Sequence, residues 1–259
     1  MENQSMKWIF TTSHKPAKQQ VLKAQHLATK YSGRYISRRH VGKYIDEKGF
    51  YFVVEKDMSL SAKWKGGSFF YHPSISKIKM KTYTKTGHDF LIESIAPSSD
   101  DKVLDLTMGL GSEALLIANF AKEVIGVEGA FPTYLVVKEG LKNYKYKENW
   151  MIKASKKIKI INNNYKNYIR LFKDNSIDIV YCDPMFENPN YKSSSLNPLR
   201  RFAVYDLLTQ EDINEMVRIS KKRVIIKARD IDSIWNRIKV EKKMGSKRSG
   251  IIFGVIEKK

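Results

Sequence analysis

The sequence predicts an α/β protein: a Rossmann-like, mostly parallel sheet covered by helices and finished by an antiparallel last strand, with a small basic α/β domain ahead of it. Three observations carry this expectation. From Val103 onward, short apolar runs alternate with amphipathic segments of helical spacing, the pattern of parallel strands joined by crossover helices. The first run leads into a glycine-bearing turn, Gly109-Leu110-Gly111, and the next ends on Glu128. Residues 1–80 carry fifteen Lys and Arg against five Asp and Glu, interleaved with aromatics. The expected domains are 1–80 and 81–259.

Taken in order, residues 7–12 read as a short strand. Val21, Leu22, Leu27 and Ala28 lie at helical spacing between Lys15 and Tyr31, and Ser32-Gly33 closes that helix. Arg34 to His40 sets Arg34, Arg38, Arg39 and His40 around Tyr35 and Ile36. Residues 49–56 are strand-like, 68–71 read as a further strand, and His72-Pro73 as a turn. The alternation of charged and apolar residues in 77–85 reads as an edge strand or a linker, and 88–96 as a short helix. The regular half then gives strand 103–107, helix 112–121, strand 123–128, helix 131–146, strand 157–162 and a short helix near 165–172. Strand 177–182 runs into Asp183-Pro184-Met185-Phe186 and a polar loop from Glu187 to Asn197. Helix 209–220, strand 223–228 and helix 231–237 follow, and 239–247 with 250–257 form an antiparallel pair at the sheet edge.

Composition narrows the function classes. A chain of 259 residues with 42% hydrophobic residues can bury a large core. No apolar run approaches membrane-spanning length, and the first residues lack the pattern of a signal peptide, so a cytoplasmic protein without a membrane partner is expected. A single cysteine, Cys182, excludes a disulfide framework and a cysteine-based metal cluster. Forty-seven Lys and Arg against twenty-seven Asp and Glu leave a formal charge of +20. Such an excess favours a polyanionic partner. Basic residues among aromatics suit RNA, because phosphates need cations and unstacked bases need aromatic faces. On that reading Arg38 and Arg39 contact RNA; the competing reading places the aromatics in the core of a small domain.

The glycine turn also matches a loose dinucleotide fingerprint, with Glu128 at a suitable distance. Asp105, four residues before Gly109, argues against a pyrophosphate, which it would repel. It suits a cationic ligand such as the α-amino group of S-adenosylmethionine. With the antiparallel finish of the sheet, this points to a class I methyltransferase. Gly109 and Gly111 then allow close backbone approach, the donor's carboxylate can face the following helix N-terminus, and Glu128 accepts from the ribose hydroxyls. Asn164, in the run Asn162-Asn163-Asn164, can read the adenine edge or merely form a turn.

Asp183-Pro184-Met185-Phe186 lies where open α/β sheets place their chemistry. An exocyclic amine of a base is a poor nucleophile, because its lone pair is delocalised into the ring. The Asp183 carboxylate and the Pro184 carbonyl can accept from both N–H groups and localise that lone pair, while Phe186 stacks on the extruded base. Methyl transfer is an in-line displacement dominated by positioning and requires no metal. Cys182 points away from Asp183 by strand alternation and reads as core.

These motifs resemble the RsmJ-type ribosomal RNA methyltransferases. The resemblance rests on Asp105-Leu106-Thr107-Met108-Gly109-Leu110-Gly111, on Asp183-Pro184-Met185-Phe186, and on Lys192-Ser193 with Leu199-Arg200. Members carry D-A-T-A-G-L-G-R-D in the donor loop, D-P-M-F/Y at the catalytic strand, then a K-S-A-L segment and M-R. The likeness covers roughly residues 70–259. Here Ser112-Glu113 stands in place of the family's Arg-Asp, and Ser194 to Pro198 departs from the K-S-A-L segment.

The resemblance implies S-adenosylmethionine as methyl donor, Thr107 among the donor-site residues, and the exocyclic N2 of a guanine in small-subunit ribosomal RNA as target. Guanine N7 stays open, because its in-plane lone pair needs no acceptor. Lys192, Arg200 and Arg201 would neutralise phosphates beside the extruded base; Lys227 and Arg229 would do the same or close the pocket. Two further readings remain. One is an adenine-N6 methyltransferase on RNA or DNA; the other is an inert RNA-binding or ribosome-assembly protein of the same fold, which the intact Asp105, Gly109, Gly111, Glu128 and Asp183 oppose.

Overall fold

The computed structural model describes residues 8–47, 49–187, 197–246 and 248–258. The chain forms two units, Met1–His72 with Leu135–Lys145, and Pro73–Tyr134 with Tyr146–Lys259.

In the first unit, strands β1 (Ile9–Thr12), β2 (Arg34–Tyr35), β3 (Tyr51–Val54), β4 (Leu60–Trp64) and β5 (Gly67–Phe70) form one sheet in the order β2-β1-β3-β4-β5. The first three are parallel; β4 and β5 are antiparallel. Helix α1 (Lys18–Lys30) buries Gln20, Ala24, Leu27 and Ala28 along one stripe. Its buried Gln20 amide donates to the Val54 carbonyl at 3.2 Å, which anchors the helix to β3. Phe10, Phe52 and Phe69 are buried, with the Phe10 and Phe52 rings stacked at 4.9 Å. These aromatics are therefore core. Tyr44 and Phe70 are exposed.

The second unit begins with α2 (Ser74–Thr86) and α3 (Phe90–Ile95), followed by β6 (Lys102–Asp105), α4 (Ser112–Ala118), β7 (Glu123–Glu128) and the start of α5 (Phe131–Asn143), whose residues from Leu135 onward belong to the first unit. Next come α6 (Asn149–Ser155), β8 (Ile158–Asn162), α7 (Tyr165–Ile169), β9 (Ile177–Cys182) and α8 (Asn197–Arg200). The chain continues through α9 (Gln210–Ile219), β10 (Ser220–Arg229), α10 (Ile234–Arg237), β11 (Lys242–Ser246) and β12 (Ile251–Glu257). Its seven strands run β11-β12-β10-β9-β6-β7-β8. The five from β10 to β8 are parallel, and β12 is antiparallel to both of its neighbours, β10 and β11. Because β6 lies between β7 and β9, the chain leaves it to one side and later returns on the other. That is the topological switch point at which open α/β sheets bind ligands.

Three expectations are corrected. Residues 77–85 are neither strand nor linker. Ser76, Lys79, Met80 and Tyr83 share one face of α2, so Ser76 Oγ donates to the Ser112 carbonyl at 2.7 Å, Met80 is buried, and Tyr83 meets Phe120 edge-on. A boundary at residue 80 would cut this helix; the division falls after His72. Helix α6 and strand β4 also lacked clear periodicity: α6 buries only Met151 and Ala154, and β4 buries Leu60, Ser61 and Ala62 in succession. Among the described residues no helix is long and apolar enough to cross a membrane.

Candidate active site

The loop after β6 is built by the strands on either side of it. Leu106 N–H donates to the Tyr181 carbonyl and Met108 N–H to the Val127 carbonyl, both at 2.9 Å, so the chain stays pinned to β9 and then to β7. Gly111 N–H closes the turn on the Met108 carbonyl at 2.8 Å. Gly109 and Gly111 have φ of 51° and 70°, the left-handed region where a side chain is strained. Gly109 N–H donates to Glu128 Oε2 at 3.0 Å, and Ala130 N–H to Oε1 at 2.7 Å, so Glu128 fixes the loop at its far end. Burial pushes the Glu128 carboxyl up to about 7 despite these two donors. Asp105 is 1% exposed and accepts from Thr107 N–H at 3.1 Å. Burial, then the nearby negative charges of Glu113 and Asp183, hold its carboxyl well above the ordinary range.

Across the switch point, Asp183 follows β9, and its N–H donates to Thr107 Oγ1 at 2.6 Å. Its side chain enters a buried chain of charges. Lys227 Nζ, projecting from β10, lies 2.7 Å from Asp183 Oδ2 and 2.9 Å from Glu113 Oε1. Lys79 Nζ, from α2, reaches the same Glu113 oxygen at 3.1 Å, and the Tyr181 hydroxyl donates to Glu113 Oε2. Burial resists ionising Glu113, but Lys227 and Lys79 outweigh it and take the carboxyl down to about 2. For Asp183 burial wins over Lys227 and leaves the carboxyl raised, to about 6. Burial would neutralise Lys227, but Asp183 and Glu113 hold it charged, above the ordinary lysine value. Asp183 Oδ1 is buried with no hydrogen-bond partner among the described residues.

A cavity of about 550 Å³ connects these groups, a size that suits a small-molecule ligand. Asp105, Thr107, Gly109, Glu128, Asn164, Asp183, Pro184, Phe186 and Arg200 all line it, so most of the sequence-derived site residues converge. Gly111 supports the wall from behind as N-cap of α4. Asn164 faces the cavity already engaged: its oxygen caps α7 through Lys166 N–H at 2.9 Å, and its amide donates to Asp206 at 2.6 Å. Thr107 likewise spends its hydroxyl on Asp183.

Of the two readings of Lys227, the phosphate contact is corrected and the place in the pocket is kept, since Lys227 lines the cavity. It is a largely buried partner of Asp183 within β10, with its side chain 14% exposed and Nζ 5.7 Å from the Phe186 ring centre, and not a phosphate-binding surface group. Lys192 lies outside the described residues, and Arg201 is exposed. In the first unit Arg39 is exposed, and the Arg38 guanidinium lies 4.9 Å from the Tyr51 ring centre. Cys182 is buried in the core. Sequence reasoning missed Glu113, Lys79, Tyr181 and Asp206 as site residues. It also missed Thr133, which lines the cavity and whose buried hydroxyl has no partner among the described residues.

A switch-point cavity with an acidic residue ending each of two adjacent parallel strands and a left-handed glycine loop between them defines a Rossmann-like methyltransferase site. Residues 75–250 match the family model described as "Putative SAM-dependent methyltransferase", and the chain belongs to that family. It is 29% identical over 227 residues to the uncharacterized protein YpiP of Bacillus subtilis, an alignment covering 85% of this chain and 88% of that one. It is 27% identical over 168 residues to ribosomal RNA small subunit methyltransferase J of Francisella tularensis subsp. novicida, covering 61% and 68%. In fold it resembles the SAM-dependent methyltransferase NGO1261 of Neisseria gonorrhoeae, with a TM-score of 0.66, 16% identity and 96% coverage of both chains. The chain is thus an S-adenosylmethionine-dependent methyltransferase by family, fold and cofactor.

Proposed function

We propose that this protein methylates the exocyclic N2 of a guanine in ribosomal RNA. The observation that carries the reading is the unpartnered, buried Oδ1 of Asp183, a residue that lines the cavity. A buried acceptor without a donor costs stability in the free protein, so it implies a donor supplied by the ligand. An exocyclic amine brings two N–H groups. Asp183 Oδ1 would accept one and the Pro184 carbonyl the other, turning the nitrogen lone pair out of conjugation and toward the donor. When the nitrogen gains its methyl it must shed a proton, and Asp183 stands next to it. Guanine N7 has no N–H, and its lone pair would face the Asp183 oxygen unfavourably. Phe186 would stack on the extruded base.

The residues present fit the donor. S-adenosylmethionine supplies an electrophilic methyl group on a sulfonium, and it carries an ammonium and two ribose hydroxyls. Asp105, buried and bonded to the Thr107 N–H, would hold the ammonium. Glu128 would accept from the ribose, Asn164 would stand beside the adenine, and the backbone at Gly109 and Gly111 would let the methionine portion come close. RNA as substrate draws support from the formal +20 charge and from the similarity to ribosomal RNA small subunit methyltransferase J. We assign phosphate contacts to Lys192, Arg200 and Arg201, and to Arg38 and Arg39 in a first unit that serves RNA binding.

Mass mapping of ribosomal RNA from a deletion strain tests the reading. One small-subunit guanine should lose its methyl group, regain it on complementation with the wild-type gene, and stay bare with Asp183→Ala. Survival of every ribosomal methylation would refute the ribosomal target, and loss of an N6-methyladenine in its place would assign the same acceptor pair to adenine.

A further inference from the structure

The geometry points to Lys227 and Glu113 as paired positioning residues that keep Asp183 a carboxylate with Oδ1 open to an amine. This rests on reading Asp183 as the amine acceptor. Lys227 sits between the two carboxylates with its side chain 14% exposed, 2.7 Å from Asp183 Oδ2 and 2.9 Å from Glu113. It fills Oδ2 and leaves Oδ1 as the vacant acceptor.

Sharing the cation has a chemical purpose. A buried lysine facing Asp183 alone would hold that carboxylate so firmly that it became a feeble acceptor. With no lysine at all, burial would keep it protonated, and a carboxylic acid would present a donor to the amine. Glu113 draws part of the lysine's charge away and adds its own repulsion. Lys79 and the Tyr181 hydroxyl keep Glu113 in place from the other side. The balance leaves Asp183 ionised at neutral pH yet basic. The charged and titratable groups that face Asp183 are Lys227 on β10, Glu113 on α4, Lys79 on α2, Asp105 on β6, and Tyr181 and Cys182 on β9.

This arrangement makes two substitutions act in opposite directions. Lys227→Met removes the only opposite charge bonded to Asp183 among the described residues, so the acid limb of the kcat profile should move up by about one pH unit or more. Transfer near pH 6.5 then falls at least about threefold and recovers toward pH 9. Glu113→Gln removes a repelling charge and frees Lys227 for Asp183, so the limb should move down. Lys79→Met, at a partly exposed position, should move it up by less and guards against misfolding of the buried variants. The measurement is kcat against pH for ribosomal RNA from the deletion strain, with calorimetric binding of S-adenosylmethionine confirming that each variant is folded. Isotope-edited infrared spectroscopy follows the Asp183 carboxyl directly, with Asp183→Asn assigning the band. A common direction of shift, or uniform losses with an unmoved limb and band, would overturn the pairing. Opposite infrared shifts in a protein inactive on ribosomal RNA would uphold the pairing and sink the substrate reading instead.

Discussion

Glu128 allows a quantitative test of donor binding. Its carboxyl sits in the wall of the cavity, tied to Gly109 N–H and Ala130 N–H, and burial raises it to about 7 in the free protein. Two ribose hydroxyls can bond well only to the ionised form. At pH 6 about one molecule in eleven is ionised for a group of this acidity, so donor affinity should stand about tenfold below its alkaline plateau, a loss of about 1.4 kcal/mol. The sign follows from the direction of the shift: the proton is held by the free site and released on binding, so affinity declines as pH falls through 7. The donor's own amino group titrates not far above this range, and Glu128→Gln separates the two. The variant should bind more weakly at pH 8 but show less dependence on pH, and calorimetry in buffers of different ionisation enthalpy should show its proton release diminished. The same raised carboxyl costs the free fold nothing below its ordinary value and most above 7. Glu128→Gln should therefore gain stability relative to wild type between pH 5 and pH 8. Parallel pH curves of affinity for wild type and Glu128→Gln would refute the assignment of Glu128 to the donor.

Further outcomes follow from the same geometry. Asp183→Asn should lower methyl transfer by about 10²- to 10⁴-fold, the usual contribution of a group that handles a proton, while calorimetric donor affinity stays within a few-fold of wild type. Gly140→Ala sets helix propensity against packing. Alanine gains about 1 kcal/mol in a helix interior, but its Cβ would stand 2.2 Å from Tyr71 Cγ and 2.3 Å from Tyr71 Cβ, atoms that cannot swing aside. Overpacking of about 1–3 kcal/mol should win and lower the urea midpoint; a more stable variant would contradict the packing. Replacing Arg38 and Arg39 together by alanine should weaken filter binding of small-subunit ribosomal RNA and flatten its logarithmic salt slope by up to about two. An unchanged slope would remove both from the RNA contact.

Much of the second unit is legible from sequence because each parallel strand is a short apolar run bounded by turns. β7 and β9 fall on the expected residues, 123–128 and 177–182. Asp105, Glu128 and Asp183 are legible for a related reason: a carboxylate ending an apolar strand has few structural uses, and strand order brings such ends together. Helix α2 misled because lysines at every second position mimic strand alternation, whereas the face that matters is set by Ser76, Lys79, Met80 and Tyr83. The buried charge chain was not legible at all. Lys227 and Glu113 are 114 residues apart, and although the place of Lys227 at the end of a strand marked it for the pocket, nothing local pairs it with Glu113 or Asp183. Its burial follows from its place in β10 beside β9, which is a consequence of topology. Glu113 stands where the resembling family has aspartate, and that position was the one available hint.

The electrostatics of the cavity run against those of the chain. The whole sequence carries +20, yet among the described residues six carboxylates line the cavity against three cationic side chains, Lys79, Arg200 and Lys227. Two of the three cations are committed to Glu113 or to Glu113 and Asp183. A phosphate placed among these carboxylates would meet repulsion at short range in a poorly screened setting. A neutral base would meet none. For the RNA substrate proposed above, the distribution would sort the nucleic acid by its parts: the cationic excess outside the cavity would draw the backbone, and the acidic interior would admit the base alone. With such a substrate, extrusion of the base from its helix or loop would follow from the charge pattern as well as from reach, since a stacked base cannot enter without bringing its phosphates along. It also explains why the donor site tolerates acidic residues that a pyrophosphate-binding Rossmann enzyme could not. A cationic donor and a neutral acceptor are the pair of ligands for which this interior is complementary at both ends.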